Sequence, residues 1–82
     1  MNTTQFSTPE RDAHKPHFDR VCNQENRKMP IDAVVDLSDA SVDLEKIRQA
    51  IEFFTASRAS FRNVGGSKIQ VTAPGYYRAV GA

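Results

Sequence analysis

The sequence predicts a small two-layer α+β domain, in which one main helix packs on a short antiparallel sheet. The expected order is strand, helix, strand, strand, with a short further strand at the C-terminus as an alternative. Three patterns favour this fold class: an alternating apolar run at 31–37, a helical apolar stripe within 42–56, and a hairpin signal at Gly65-Gly66. The 82 residues provide enough chain for one small domain.

We expect residues 1–28 to be a flexible N-terminal arm and residues 29–82 to be the domain. The first thirty residues contain six large apolar side chains and three of the four prolines, whereas the other fifty-two contain seventeen large apolar side chains. So few apolar side chains cannot offset the entropy lost when a segment is ordered. A short helix over Pro16–Asn23 is an option within the arm, but it needs a partner surface to persist in water. Its apolar face would consist of Phe18, Val21 and Cys22.

In the first half of the domain, the sequence pattern predicts a strand over 31–37 and then a helix over Val42–Ala56. Asp39 and Ser41 are the two candidates for the N-cap of this helix, because their side chains can accept hydrogen bonds from its first N–H groups. The core-facing residues of the strand are Ile31, Ala33, Val35 and Leu37, and those of the helix are Leu44, Ile47, Ile51 and Phe54.

The second half predicts a β-hairpin with strands over Ala59–Val64 and Ser67–Ala73. Gly65-Gly66 is the expected two-residue turn, because both central positions of such a turn need a positive φ. Pro74-Gly75 is typical of a type II turn. We expect Tyr76–Val80 to follow as a short final strand or a packed tail. On the second strand, one face would carry Ile69, Val71 and Ala73, and the other Lys68, Gln70 and Thr72.

The predicted helix has a second apolar side that carries Val42 and Phe53, opposite Ile47 and Ile51. One interpretation is that the N-terminal arm covers this side or that Phe53 is simply exposed. The other is an interface, formed either with a second copy of the chain or with another partner, because exposed apolar pairs are costly in a small protein.

Charge is divided between segments of the chain, whose formal net charge is +1. Residues 29–52 have six acids and two bases, a net of −4, whereas residues 53–82 have four bases and no acid, a net of +4. Either the two segments meet and their charges offset each other at the surface, or the basic segment faces a negatively charged partner.

The residues that carry chemistry are few, and we expect neither an enzyme nor a cofactor. Motifs for phosphate loops, serine hydrolases and zinc peptidases are missing from the sequence. His14, His17 and Cys22 form a loose cluster that Asp12 or Asp19 could complete, but its spacing is not that of a structural zinc site. We therefore expect no metal. One cysteine excludes a disulfide framework within the chain, and the lack of an apolar run of roughly 18 residues argues against a membrane partner. A cytoplasmic location is the default expectation.

The C-terminal segment contains one set of residues suited to binding. Basic and aromatic side chains alternate there, and tyrosine and arginine are enriched at the centres of protein interfaces. We expect a small non-enzymatic binding protein that masks a surface on a macromolecular partner, such as an inhibitor, adaptor or regulator of the kind often encoded by phages. A protein partner is the first hypothesis. The alternative is a nucleic-acid-binding module, since cations neutralise phosphate and aromatic rings stack on bases. The predicted binding residues are Arg58, Arg62, Lys68, Tyr76, Tyr77 and Arg78, and Phe61 is expected in the core.

Overall fold

A computed structural model describes residues 9–22 and 30–76 of the chain. It contains two helices, α1 (Pro9–Asp19) and α2 (Leu44–Phe54), and three strands, β1 (Ile31–Asp36), β2 (Ser60–Gly65) and β3 (Lys68–Ala73). The strands form one antiparallel sheet in the order β1-β3-β2, so β3 is central. The predicted α+β class is confirmed, with one helix more than expected.

The inner face of the sheet contributes five of the twelve buried hydrophobic residues in the described part of the chain. Val71 at the centre of β3 is fully buried, and it lies opposite Ala33 of β1 and Phe61 of β2. The predicted alternation of β3 is confirmed, because Ile69, Val71 and Ala73 are all buried. Phe61 packs against this core, also as expected.

The hairpin turn lies one residue further along the chain than predicted. Gly65 still pairs with Lys68, so the two-residue loop is Gly66-Ser67. Both glycines have positive φ angles, 138° and 56°, which explains why glycine is needed at each of them. The register shifts between Asn63 and Gly65, a bulge that ends the regular ladder of β2.

Helix α2 is positioned by a cap that the sequence pattern did not single out. The side chain of Asp43 accepts hydrogen bonds from the N–H groups of Glu45 and Lys46, whereas Asp39 binds Ser41 within the preceding turn. The prediction that Asp39 or Ser41 is the N-cap of α2 is therefore wrong. The helix buries Ile47, Ala50, Ile51 and Phe54 against the sheet, and three of these belong to the predicted stripe.

Helix α1 lies in the segment that was expected to be a flexible arm. Phe18 is 4% exposed, and its ring lies 4.7 Å from the ring of Phe54, centroid to centroid. Val21 and Cys22 are buried in the same core. At the end of the helix, Arg20 donates a hydrogen bond of 2.9 Å to Ser41, which ties α1 to the loop before α2. Residues 9–22 thus belong to the folded unit. The folded unit therefore starts earlier in the chain than residue 29, where the domain was predicted to begin.

The length and start of α1 also differ from the short helix expected over Pro16–Asn23. The helix begins at Pro9, where a missing N–H costs nothing, and continues through Pro16. An internal proline costs about 3 kcal/mol, because it removes one helical hydrogen bond and crowds the preceding turn. Docking on α2 must therefore supply the stability that α1 lacks by itself. Residues 1–8 and 23–28, which were also predicted to be flexible, lie outside the described residues.

The predicted interface residues Val42 and Phe53 are covered from within the chain. Both are half-buried and pack against the core. The ring of His14 on α1 lies 4.7 Å from the ring of Phe53. The contact with His14 favours the first interpretation, in which the N-terminal segment covers this side of α2, and the interface through Val42 and Phe53 stays a prediction.

Candidate binding surfaces

The structure divides the predicted binding residues between two ends of the sheet. Lys68 lies beside the hairpin turn, where it pairs with Gly65. Arg58 precedes the start of β2, at the opposite end, and Arg62 lies between them on β2. Tyr76 is 69% exposed and follows the end of β3. Tyr77 and Arg78 lie outside the described residues, as does most of the predicted final strand.

The first surface is the side of the sheet that faces away from α2, which we call the outer sheet face. The register places on it alternate residues of the three strands, and all of them are exposed or half-buried. They are Asp32, Val34 and Asp36 of β1, Ser60 and Arg62 of β2, and Lys68, Gln70 and Thr72 of β3.

A chain of hydrogen bonds crosses the outer sheet face from its basic edge to its acidic edge. The guanidinium of Arg62 donates to the side-chain oxygen of Gln70 at 3.0 Å. The amide nitrogen of Gln70 donates in turn to the carboxylate of Asp32 at 2.7 Å. The basic hairpin and the acidic strand therefore meet on one surface, as the first interpretation of the divided charge proposed. This arrangement weakens the argument for phosphate binding here, because two acids offset the two bases.

Asp36 is held as an anion at the hairpin end of the same face. Hydrogen bonds from the Ser67 hydroxyl and from the N–H of Ser38 lower the pKa of Asp36 to about 2. Lys68 contributes a smaller effect in the same direction. The lowered pKa keeps Asp36 charged at any physiological pH.

The second surface lies at the C-terminal end of α2, and we call it the Arg58–Tyr76 surface. The turn at Gly75, with φ of 83°, directs the chain back toward the loop after α2. There the N–H of Ala56 donates a hydrogen bond of 3.1 Å to the carbonyl of Tyr76. This bond places the backbone of the exposed Tyr76 beside Ala56, which lies two residues before the exposed Arg58.

The loop that carries Arg58 is anchored by Thr55, which is 1% exposed. The hydroxyl of Thr55 donates to the carbonyl of Ile51 at 2.6 Å and accepts from the N–H of Ser57 at 3.1 Å. Every buried polar side-chain atom in the described part of the chain has a partner. Arg58 therefore extends from a well-supported backbone, which lowers the entropy cost of a contact made there.

An open pocket of about 620 Å³ adjoins this loop. Arg48 in its wall is paired with Glu45 and Glu52, and these two carboxylates raise the pKa of the guanidinium. Arg58 has no ion pair with any residue in the ranges 9–22 and 30–76. Among the described residues that line the pocket, it is the charged side chain that a partner can engage without breaking a described ion pair. The pocket is lined by Arg48, Glu52 and residues 55–59.

His14 on α1 and Cys22, which follows α1, both pack within the fold. His14 contacts Phe53, and Cys22 is buried beside Phe18 and Val21 as a free thiol. Within the described ranges, no three His, Cys, Asp or Glu side chains are grouped so that they could hold a metal ion. None of the helices in the same ranges is long and apolar enough to cross a membrane.

Three apolar residues are exposed although the sequence did not predict them to be. Val34 is 57% exposed at the middle of the outer sheet face, and Leu37 and Val64 are 42% and 44% exposed near the hairpin end. Leu37 was expected in the core, but β1 ends at Asp36 and the chain turns away. The signal for Val34 is present in the sequence, because it lies between Asp32 and Asp36 in the alternation and therefore on the polar side.

Comparison with known proteins found no match: no protein-family model, no curated protein and no solved structure is significantly similar to this chain.

Proposed function

We propose that this chain is a small non-enzymatic binding protein that masks a surface of a protein partner. The observation that supports it best is the exposed Tyr76, whose carbonyl is bound by Ala56 in the wall of an open pocket. Arg58 lies two residues further along the same wall and has no ion pair within the ranges 9–22 and 30–76. Tyrosine offers a large contact area with few rotatable bonds, and arginine binds carboxylates in a bidentate manner. The partner would present a carboxylate to Arg58 and an apolar depression to Tyr76.

A protein partner is favoured over nucleic acid by the charges around these surfaces. Glu52 lies in the wall of the pocket, and Asp32 and Asp36 lie beside Arg62 and Lys68. Phosphate backbones are bound most strongly where several cations are clustered without acids between them. Mixed charge is instead typical of the polar rim of a protein interface. A reducing cytoplasmic setting is part of the proposal, because Cys22 is a free thiol.

Site-specific photocrosslinking in the native host tests the location and the class of the partner. We expect a photoreactive phenylalanine analogue at Tyr76 to yield a crosslinked protein band that persists after nuclease treatment. The same analogue at Val64, which is exposed at the opposite end of the sheet, serves as the matched control and should yield little of that band. Arg58→Glu should abolish the crosslink from Tyr76, whereas Arg62→Glu, the same charge change on the outer sheet face, should leave it.

Two results would count against the proposal. A crosslink that disappears with nuclease would favour the nucleic-acid alternative. A crosslink to one protein from Val64 alone would move the functional surface to the hairpin end.

A further inference from the structure

Strand β2 has an edge with which no other described strand pairs. The sheet order β1-β3-β2 joins β2 to β3 on one side only. The core side of this strand is also incompletely covered, because none of its six residues is buried, whereas β1 at the opposite edge buries Ile31 and Val35. Phe61 lies opposite the buried Val71 and packs against the core, yet it stays half-buried. A further strand beside β2 would cover the rest of its side chain.

The register shows which backbone groups point to this edge. Successive residues of an antiparallel strand direct their N–H and C=O groups to opposite sides. The N–H of Leu37 donates to the carbonyl of Ser67 at 2.9 Å, so the odd-numbered residues of β3 face β1 and the even-numbered ones face β2. Ser60 and Arg62 therefore face β3, because they lie opposite even-numbered residues. The residues that alternate with them point to the free side, and we call them the β2 edge: Ala59, Phe61 and Asn63.

The charged residues within β2 and directly before it are both arginines, Arg58 and Arg62, and no acid lies between them or after them in the sequence. The guanidinium of Arg62 donates one hydrogen bond to Gln70, which leaves other N–H groups for a further acceptor. The opposite edge strand of the sheet carries Asp32 and Asp36 instead. The β2 edge is therefore suited to a negatively charged strand, and the edge at β1 is not.

We propose that the β2 edge binds an extended acidic segment of a protein, which joins the sheet as a fourth strand antiparallel to β2. Apolar residues of the segment lie opposite Phe61 and cover it, and their N–H and C=O groups bond with those of the edge. The acids between them lie on the outer sheet face, where one pairs with Arg62 across the strands. This inference rests on the proposed function in one respect, because the ligand belongs to a protein, but it does not require Tyr76.

The same charges disfavour other occupants of the edge. A second copy that paired through its own β2 would bring Arg58 and Arg62 beside the same two residues, with no acid to offset them. Two further segments of this chain are no better matched, since residues 1–8 and 77–82 contain no acid and the latter contain Arg78. An acidic segment of another protein is therefore the occupant that the charges select.

The expected affinity is low, because the edge is short. A bulge between Asn63 and Gly65 interrupts the ladder, so pairing extends over about five residues, or roughly 17 Å. Exposed charge pairs are screened by salt, so binding should be strongest at low ionic strength. Nuclear magnetic resonance is suited to the millimolar affinity that we expect of such a contact.

Amide hydrogen exchange of the whole isotope-labelled chain tests the proposal, with an acetylated heptapeptide of alternating valine and glutamate as the probe. In the free protein, the amides of Phe61 and Asn63 should exchange at least tenfold faster than the amide of Arg62, which faces β3. Saturating peptide should slow exchange at these two residues at least tenfold and leave the amide of Val34 on β1 unchanged. Tyr76→Ala should not alter this protection.

Modified peptides and one charge variant provide matched controls. N-methylation of the valines should abolish binding, because their N–H groups face β2 in the antiparallel pairing, whereas N-methylation of the glutamates should leave it intact. Replacing the glutamates with lysine should weaken binding at least tenfold. Arg62→Glu should weaken binding of the original peptide as much, whereas Lys46→Glu, the same charge change on α2, should have little effect.

Three results would overturn the proposal. The first is protection of the β2-edge amides in the free protein, which would mean that the chain itself or a second copy covers them. The second is unchanged exchange at millimolar peptide, and the third is equal binding of the two methylated peptides. Failure of the peptide would leave the crosslink from Tyr76, and with it the proposed function, standing. Loss of that crosslink with intact peptide binding would remove the proposed function alone.

Discussion

Replacing Phe18 with alanine should remove most of the stability of the domain. The side chain is 4% exposed and its ring packs 4.7 Å from that of Phe54, so truncation leaves a cavity between α1 and α2. Changes of this kind cost about 3–5 kcal/mol. A chain of 82 residues has a total free energy of unfolding on the order of 4–12 kcal/mol. We therefore expect Phe18→Ala to be partly unfolded in buffer.

Urea unfolding followed by circular dichroism measures this loss. Glu10→Ala is the matched control, because Glu10 is exposed on the same helix and its truncation should change the free energy of unfolding by less than about 0.5 kcal/mol. If Phe18→Ala changed the free energy of unfolding as little as Glu10→Ala does, α1 would contribute nothing to the fold. Residues 9–22 would then be the flexible arm that their composition suggests.

Three further changes test other parts of the fold. Pro16→Ala should raise the free energy of unfolding by about 1–3 kcal/mol, because it restores an N–H inside α1, and a loss of stability in urea would contradict the continuous helix. Asp43→Ala should lower the free energy of unfolding by about 1 kcal/mol, because it removes the N-cap of α2. An equal loss with Asp39→Ala would indicate that Asp39 is the N-cap, as the sequence predicted. The pKa of Asp36 is lowered to about 2 by its serine hydrogen bonds, so its contribution to stability is complete above the ordinary pKa near 4 and is lost as the pH falls through 2. Asp36→Asn should flatten the acid dependence of the melting temperature in that range, and an unchanged profile would refute the assignment.

The sheet and α2 could be predicted because their periodicity is strong and local. Alternation at 31–36 and 68–73 and the stripe through Ile47 and Ile51 each fix one buried face. The hairpin turn was displaced by one residue because a bulge at the end of β2 changes the register, and glycine pairs do not indicate where such a bulge lies.

Helix α1 could not be predicted because its stability comes from tertiary contacts. Its sequence is polar and contains Pro16, so local propensity argues against a helix. What orders it is the fit of Phe18 against Phe54 and of His14 against Phe53, which are more than thirty residues away in the chain. The second apolar side of α2 was in fact the signal, since it indicated that something covers Phe53.

The candidate surfaces were predicted in residue type but not in arrangement. The bases of the hairpin were expected to form one patch. The register instead joins Arg62 to Asp32 through Gln70, and the turn at Gly75 brings Tyr76 to the loop of Arg58. Such pairings depend on strand order and turn geometry, which a single sequence does not specify.

The affinity of the protein captured by crosslinking at Tyr76 tests the central claim most directly. Titration calorimetry would compare the wild type with Tyr76→Ala, and with Val64→Ala as a control at an exposed position at the opposite end of the sheet, over a series of salt concentrations. The account predicts that Tyr76→Ala weakens binding at least tenfold, which corresponds to about 1.4 kcal/mol, while Val64→Ala and moderate salt have little effect. Unchanged affinity of a folded Tyr76→Ala variant would contradict the claim that the chain binds a protein through the Arg58–Tyr76 surface.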